Sequence, residues 1–296
     1  MKVHGAAFFA GAVLTCSTAL AQPDLLDVLN EGVEAPTTPV SATFKDTRVI
    51  NVQSNETAAS GVLHFVIAHR FGRLNEGAYA LWGLDNASMR MSFDYGLTDR
   101  LQVGLGRSTL GKTYEASAKL RVLRQTTGGR NFPIGLTLFS SAFCTGIRWA
   151  DPDRTNYVSS RLSFVHQAIF SRKFNDDFSV VVVPSMTHRN LVPTPDVAHD
   201  VYTVGLGGRY KLNSRFSING EVHAFASGRT ASMQPSMSIG CDIETGGHVF
   251  QLHLTNSSGM FESAFLTETT GTWGAGDIYF GFNLSRVFTV RERNRS

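Results

Sequence analysis

The chain has 296 residues, of which 42% are hydrophobic and 17% charged, with a formal net charge of +3, a mean hydropathy of −0.06, 21 Phe and 28 Gly. The aromatic content excludes a disordered chain, three cysteines are too few for a disulfide scaffold, and beyond the first two dozen residues no stretch of 18 lacks a charge, which excludes a helical membrane protein. So near-neutral a balance offers nothing to a nucleic acid, and a charge fraction below the ordinary ~25% leaves the spacing of the apolar residues to decide.

The N-terminus reads as a secretory signal peptide. Lys2 supplies a short positive region, residues 5–14 a small apolar one, and Ala19-Leu20-Ala21 a cleavage pattern that leaves Gln22 as the first mature residue. Cys16 follows a loose lipobox, but Thr15 before it is a poor fit. Residues 22–60 read as a periplasmic linker or plug ahead of a barrel domain spanning 61–290. Residues 24–30 have helical spacing and 31–39 read as extended. Residues 42–50 have strand-like composition with poor alternation, so they either form a strand or sit in the lumen.

From residue 61 the pattern has period two. Met89, Met91, Phe93 and Tyr95 alternate with Ser88, Arg90, Ser92 and Asp94; Phe250, Leu252 and Leu254 alternate with Gln251, His253 and Thr255. Such spacing gives each strand one apolar and one polar face. It predicts twelve strands, at 61–71, 88–96, 101–109, 113–124, 132–143, 157–172, 178–189, 201–211, 216–225, 236–244, 248–256 and 277–288. Most are about ten residues long, longer than the ~5–6 usual in soluble proteins. Tight turns at 96–100, 173–177, 211–215 and 244–247 alternate with longer connections at 72–87, 144–156, 190–200, 226–235 and 257–276. Short turns at one end and long loops at the other are the mark of an outer-membrane barrel, with the short turns periplasmic. The predicted fold is therefore all-β, an antiparallel up-and-down transmembrane β-barrel of about 12 strands, facing outer-membrane lipid with its apolar side.

Three segments carry a resemblance: 47–57 (TRVINVQSNET), 69–107 (HRFGRLNEGAYALWGLDNASMRMSFDYGLTDRLQVGLGR) and 242–288, from DIETGG to SRVF. They resemble an uncharacterised bacterial outer-membrane β-barrel family, domain of unknown function 5777. The resemblance implies the barrel and carries over no catalytic or binding residue.

Strand parity assigns charged and polar side chains to the lumen. The basic ones are Arg90, Lys119, Arg121, Arg161 and Arg209; the acidic ones are Asp94, Glu115, Glu221, Asp242 and Glu244; His223, Gln251 and His253 lie beside them. Five against five predicts internal salt bridges, because an unpaired charge in a narrow lumen is expensive. These residues line either a polarised pore or ligand site, or a closed lumen. His253-Leu254-Thr255-Asn256 resembles the His-x-Ser-Asn element of outer-membrane phospholipases and lipid A deacylases, with Thr in place of Ser and with His253 on the lumen side rather than the lipid side. The other histidines lack metal-ligand spacing, and the paired glycines at 104–106 and 205–208 lie within strands rather than before a helix. Cys144 and Cys241 are expected to lie too far apart to bridge. Trp82, Trp149 and Trp273, with Tyr79 and Tyr157, fall in or beside the long connections, as an aromatic girdle would. The reading is an exported outer-membrane barrel, with no catalytic residue, metal or cofactor, whose function is passive transport or a narrow channel for a small polar solute. The alternatives are a structural or interaction barrel that binds a partner through its long loops, or a lipid-modifying hydrolase.

Overall fold

Period-two strands that bury only one face must pair along both edges, and a ring of them leaves no edge open. The computed structural model, which describes residues 36–291, forms that ring. Its strands are β1 (Val62–Arg73), β2 (Ala87–Gly96), β3 (Leu101–Ser108), β4 (Tyr114–Leu123), β5 (Gly135–Cys144), β6 (Leu162–Lys173), β7 (Phe178–Arg189), β8 (Asp200–Lys211), β9 (Phe216–Ser227), β10 (Met237–Thr245), β11 (His248–Thr255) and β12 (Tyr279–Thr289). Each pairs antiparallel with its neighbour in sequence, and β12 closes on β1 with Thr289 opposite Val62 and Phe282 opposite His69. The expected signal peptide and the helical spacing at 24–30 lie outside the described residues.

The outward face carries Phe93, Leu105, Leu120, Leu138, Phe170, Leu206, Ile218, Ile239 and Phe250, all exposed. A continuous apolar belt of this kind is unfavourable in water and is the surface that lipid covers. No helix among the described residues is long and apolar enough to cross a membrane. Short turns join β2 to β3, β6 to β7, β8 to β9 and β10 to β11 at one end. The connection from β4 to β5 is longer, and its Thr126–Thr127 pairs with Thr38–Pro39, which anchors the entering N-terminal segment at that short-turn end. The boundary that differs most from expectation is the start of β6. Residues 158–161 form a 3-10 turn, and β6 begins only at Leu162.

The interior departs from a uniformly polar lumen. On β5, β6 and β7 the inward positions include Phe139, Phe143, Val165, Ile169, Val181 and Val183, all buried. They face two segments that fill the barrel. Residues 43–58 enter from the short-turn end and turn back as a narrow hairpin. Arg48 bridges Gln53, the Val49 amide donates to the Val52 carbonyl at 2.8 Å, and the Ser54 amide to the Thr47 carbonyl at 2.9 Å. Phe44, Val49 and Val52 complete an apolar cluster with Phe139, Ile169, Val181 and Val183. The chain then leaves past Gly96, where a Cβ would stand 2.0 Å from the Ala59 carbonyl oxygen, so only glycine fits. From the long-loop end the β11–β12 connection folds inward. Its helix α1 (Glu262–Thr267) is buried at every residue, and Phe261, Phe265 and Leu266 pack on Phe143 and Val165. The loop at 257–276, expected as one of the long outer connections and given a partner only in the alternative reading, lines the inside over most of its length, because its apolar side chains complete the core that β5 and β6 begin.

Candidate functional site

The hairpin tip is held by a carboxylate. Glu221 of β9 accepts from the backbone amides of Ile50 at 3.0 Å, Asn51 at 2.8 and 2.9 Å, and Val52 at 2.9 Å. Successive amides of a tight turn converge into a concave anion site, and charge-assisted bonds of this kind are the strong ones. Asn51 is fixed from both sides. Its Nδ2 donates to the Ser238 hydroxyl at 3.1 Å, and its Oδ1 accepts from the Arg70 guanidinium at 3.0 Å.

The carbonyls of the segment are bound as closely as its amides. Lys119 donates to the Thr47 carbonyl at 2.8 Å and to Gln53 Oε1 at 2.9 Å. Arg209 donates to the Thr43 carbonyl at 3.2 Å, Arg121 to that of Asn55 at 3.2 Å, and Gln251 to that of Val49. Gln102 accepts from the Ala58 amide at 2.8 Å. At the short-turn rim Lys45 pairs with Glu244. Below the hairpin Asp46 meets His64 at 3.1 Å. Burial raises the Asp46 carboxyl, but the attraction of His64 and its hydrogen bond outweigh that and hold it below the usual carboxylate range.

The expected lumenal charges therefore come together, though with different partners. Among the described residues, Arg90 and Glu115 are the only two of this set that pair with one another, at 2.7 Å. Asp242 accepts from Gln251 at 2.6 Å, and Asp94 stands 3.8 Å from His64. His223 packs against Phe265 with ring centroids 5.1 Å apart, and His253 is buried beside Gly281 and Arg70. The expected set of cross-lumen salt bridges is corrected: Arg121 and Glu244 pair with Glu56 and Lys45 of the filling segment, and backbone groups of that segment, neutral but strongly dipolar, take the place of opposing charges at Lys119, Arg209 and Glu221. Arg161 is also corrected. It ends the 3-10 turn before β6, at the long-loop mouth, where its guanidinium lies 3.7 Å from the centre of the Trp149 ring. Sequence parity does not reveal His64 and Arg70, because β1 is apolar enough on both faces to hide its inward side; Arg70 shares that inward face with Val66 and Ala68.

The two filling segments meet inside the barrel. Glu262 of α1 pairs with Arg48 of the hairpin at 2.7 Å and accepts from Gln53 Nε2 at 2.6 Å. A contact therefore runs from the hairpin to the inward loop through one buried carboxylate.

The sequence family described as "Membrane bound beta barrel domain (DUF5777)" matches residues 44–288, from the plug to the last strand. The chain belongs to this family. Solved structures with a similar course include the NanC porin (TM-score 0.47, 8% identity, covering 77% of this chain and 98% of that one) and the KdgM porin (TM-score 0.46, 8% identity, covering 78% and 99%). An outer membrane channel from Pseudomonas putida F1 is similar too (TM-score 0.47, 13% identity, covering 79% and 97%). At such identities the likeness extends to the barrel alone. No curated protein matches.

Two further features complete the site. A cavity of about 390 Å³ opens at the long-loop end, between the β3–β4 turn, the start of β6, the end of β7 and the inward loop. Arg161, Arg189 and Glu268 stand on its wall above a floor that includes Phe143 and Phe261. The protein surrounding Glu268 pushes its carboxyl above the usual range, against the pull of Arg189. The His-x-Thr-Asn element is not assembled for hydrolysis. Thr255 is fully buried, bonded to Ser238 at 2.9 Å and to the Ser257 amide at 3.2 Å, and no bond joins it to His253.

Proposed function

We propose that the protein is a passive outer-membrane channel for a small polar solute, held shut by residues 43–58. The observation that carries this reading is the way the segment is held. Apart from the apolar cluster, its contacts are hydrogen bonds and ion pairs to polar side chains of the barrel and the inward loop, above all the three amides on Glu221. Withdrawal of the segment would leave a lumen lined by Arg70, Lys119, Arg209, Glu221 and Asp242, whose charges water or a polar solute can satisfy. An apolar fill alone would leave no such path.

In this reading the chain is exported with cleavage between Ala21 and Gln22, and residues 22–60 form the periplasmic plug of a barrel spanning 61–290. The lumen-facing residues set selectivity and perform no catalysis. Proteoliposomes that contain the full chain, or a variant lacking residues 43–58, test it by their swelling in an isosmotic small sugar. The truncated protein is expected to admit the sugar several-fold faster than the intact one. If liposomes with the folded truncated barrel swell no faster than protein-free ones, the channel reading is wrong. The density of the fill favours a second reading, a barrel closed permanently for a structural role, and that negative result would support it.

A further inference from the structure

We propose that the cavity at the long-loop end is a binding site for a small organic monoanion, a carboxylate with a short apolar body. The inference deepens the channel reading by naming the class of solute that enters. Its volume, about 390 Å³, falls within the ~300–1,000 Å³ of ligand pockets.

The charge arithmetic of the wall selects the sign. Arg161 and Arg189 are two fixed cations, and Glu268 is the one acid that lines the cavity among the described residues. Glu268 offsets one of these two charges, which leaves the lining net positive. Arg161 has no acidic partner among the described residues. Its Nη1 donates to the carbonyl of Thr145 at 2.9 Å and to that of Ile147, and its guanidinium plane rests on Trp149. All of these partners are neutral. They hold the guanidinium in place without cancelling its charge, which is the preorganised state that favours binding. A guanidinium has five donors, and those not given to the two carbonyls remain for a carboxylate, the planar acceptor that fits them.

The floor selects the body. Leu110, Phe143 and Phe261 make it apolar, and Phe143 and Phe261 belong to the buried cluster around α1. An inorganic anion would forgo this surface, whereas a short hydrocarbon tail covers it. The serine hydroxyls of Ser160, Ser163 and Ser263 on the wall suit a polar substituent between the two ends.

Titration calorimetry on the folded, detergent-solubilised full chain tests the site with pentanoate, pentylammonium and inorganic phosphate as probes. Binding is measured without conductance, so a silent channel and an empty site are separate results. Pentanoate is expected to bind saturably, about tenfold or more tighter than pentylammonium or phosphate, and Arg161→Gln to lose at least that factor. Glu268→Gln removes the competing carboxylate and is expected to bind pentanoate more tightly, a gain that misfolding cannot produce. Equal affinity for pentanoate and pentylammonium would overturn the proposal. So would an Arg161→Gln variant, folded by its gel mobility before and after boiling, that binds pentanoate like the parent, or a Glu268→Gln variant that binds it no tighter.

Discussion

Glu221 is the residue on which the plug turns. Its lumen side follows from parity on β9, where Ser217, Asn219 and His223 share its face. Its partner does not, because backbone amides leave no trace in residue type. Replacing it with alanine orphans the amides of Ile50, Asn51 and Val52 in a buried site, at a cost of about 1–3 kcal/mol. Glu221→Ala is therefore expected to speed hydrogen exchange at those three amides while leaving the strand amides of β9 protected. Unchanged exchange at all three would show that the carboxylate does not hold the tip. Lys119, Arg121 and Arg209 follow the same rule: legible as inward-facing, with partners that are not. Arg161 departs from strand parity because residues 158–161 turn before the strand begins. The inward side of Val181 and Val183 is not legible in sequence because β7 is apolar on both faces at 180–183, and parity then carries no sign.

At the scale of elements, the hairpin at 48–53 and helix α1 are the parts that period-two reasoning does not reach. Val49, Ile50 and Val52 of the hairpin are surrounded on every side, so no polar face marks an outside. Helix α1 has six residues, too few for a helical period to show, and all six are buried. The two elements are joined through Glu262. If that ion pair carries energy between them, Arg48→Ala and Glu262→Ala should each loosen residues 48–53, and together loosen them by less than the sum. The expected coupling is about 0.5–3 kcal/mol in the opening free energy read by hydrogen exchange. Strict additivity would mean that plug and outer loop are independent.

For the whole molecule, the barrel was legible because each strand repeats one signal and the turn lengths alternate end to end. Closure itself was confirmed only by the register of β12 on β1. The contents of the barrel were not legible, since a filled and an open lumen call for the same inward polar residues, and both satisfy them, one with backbone groups and the other with water. The central claim is that residues 43–58 close a polar pore. Planar-bilayer recordings of the full chain and of the chain lacking 43–58 test it most directly. The claim predicts a silent or barely conducting parent and discrete, stable conductance steps from the truncated barrel. A truncated barrel that is folded and inserted yet gives no steps, or a parent that conducts as well as the truncated form, would contradict it.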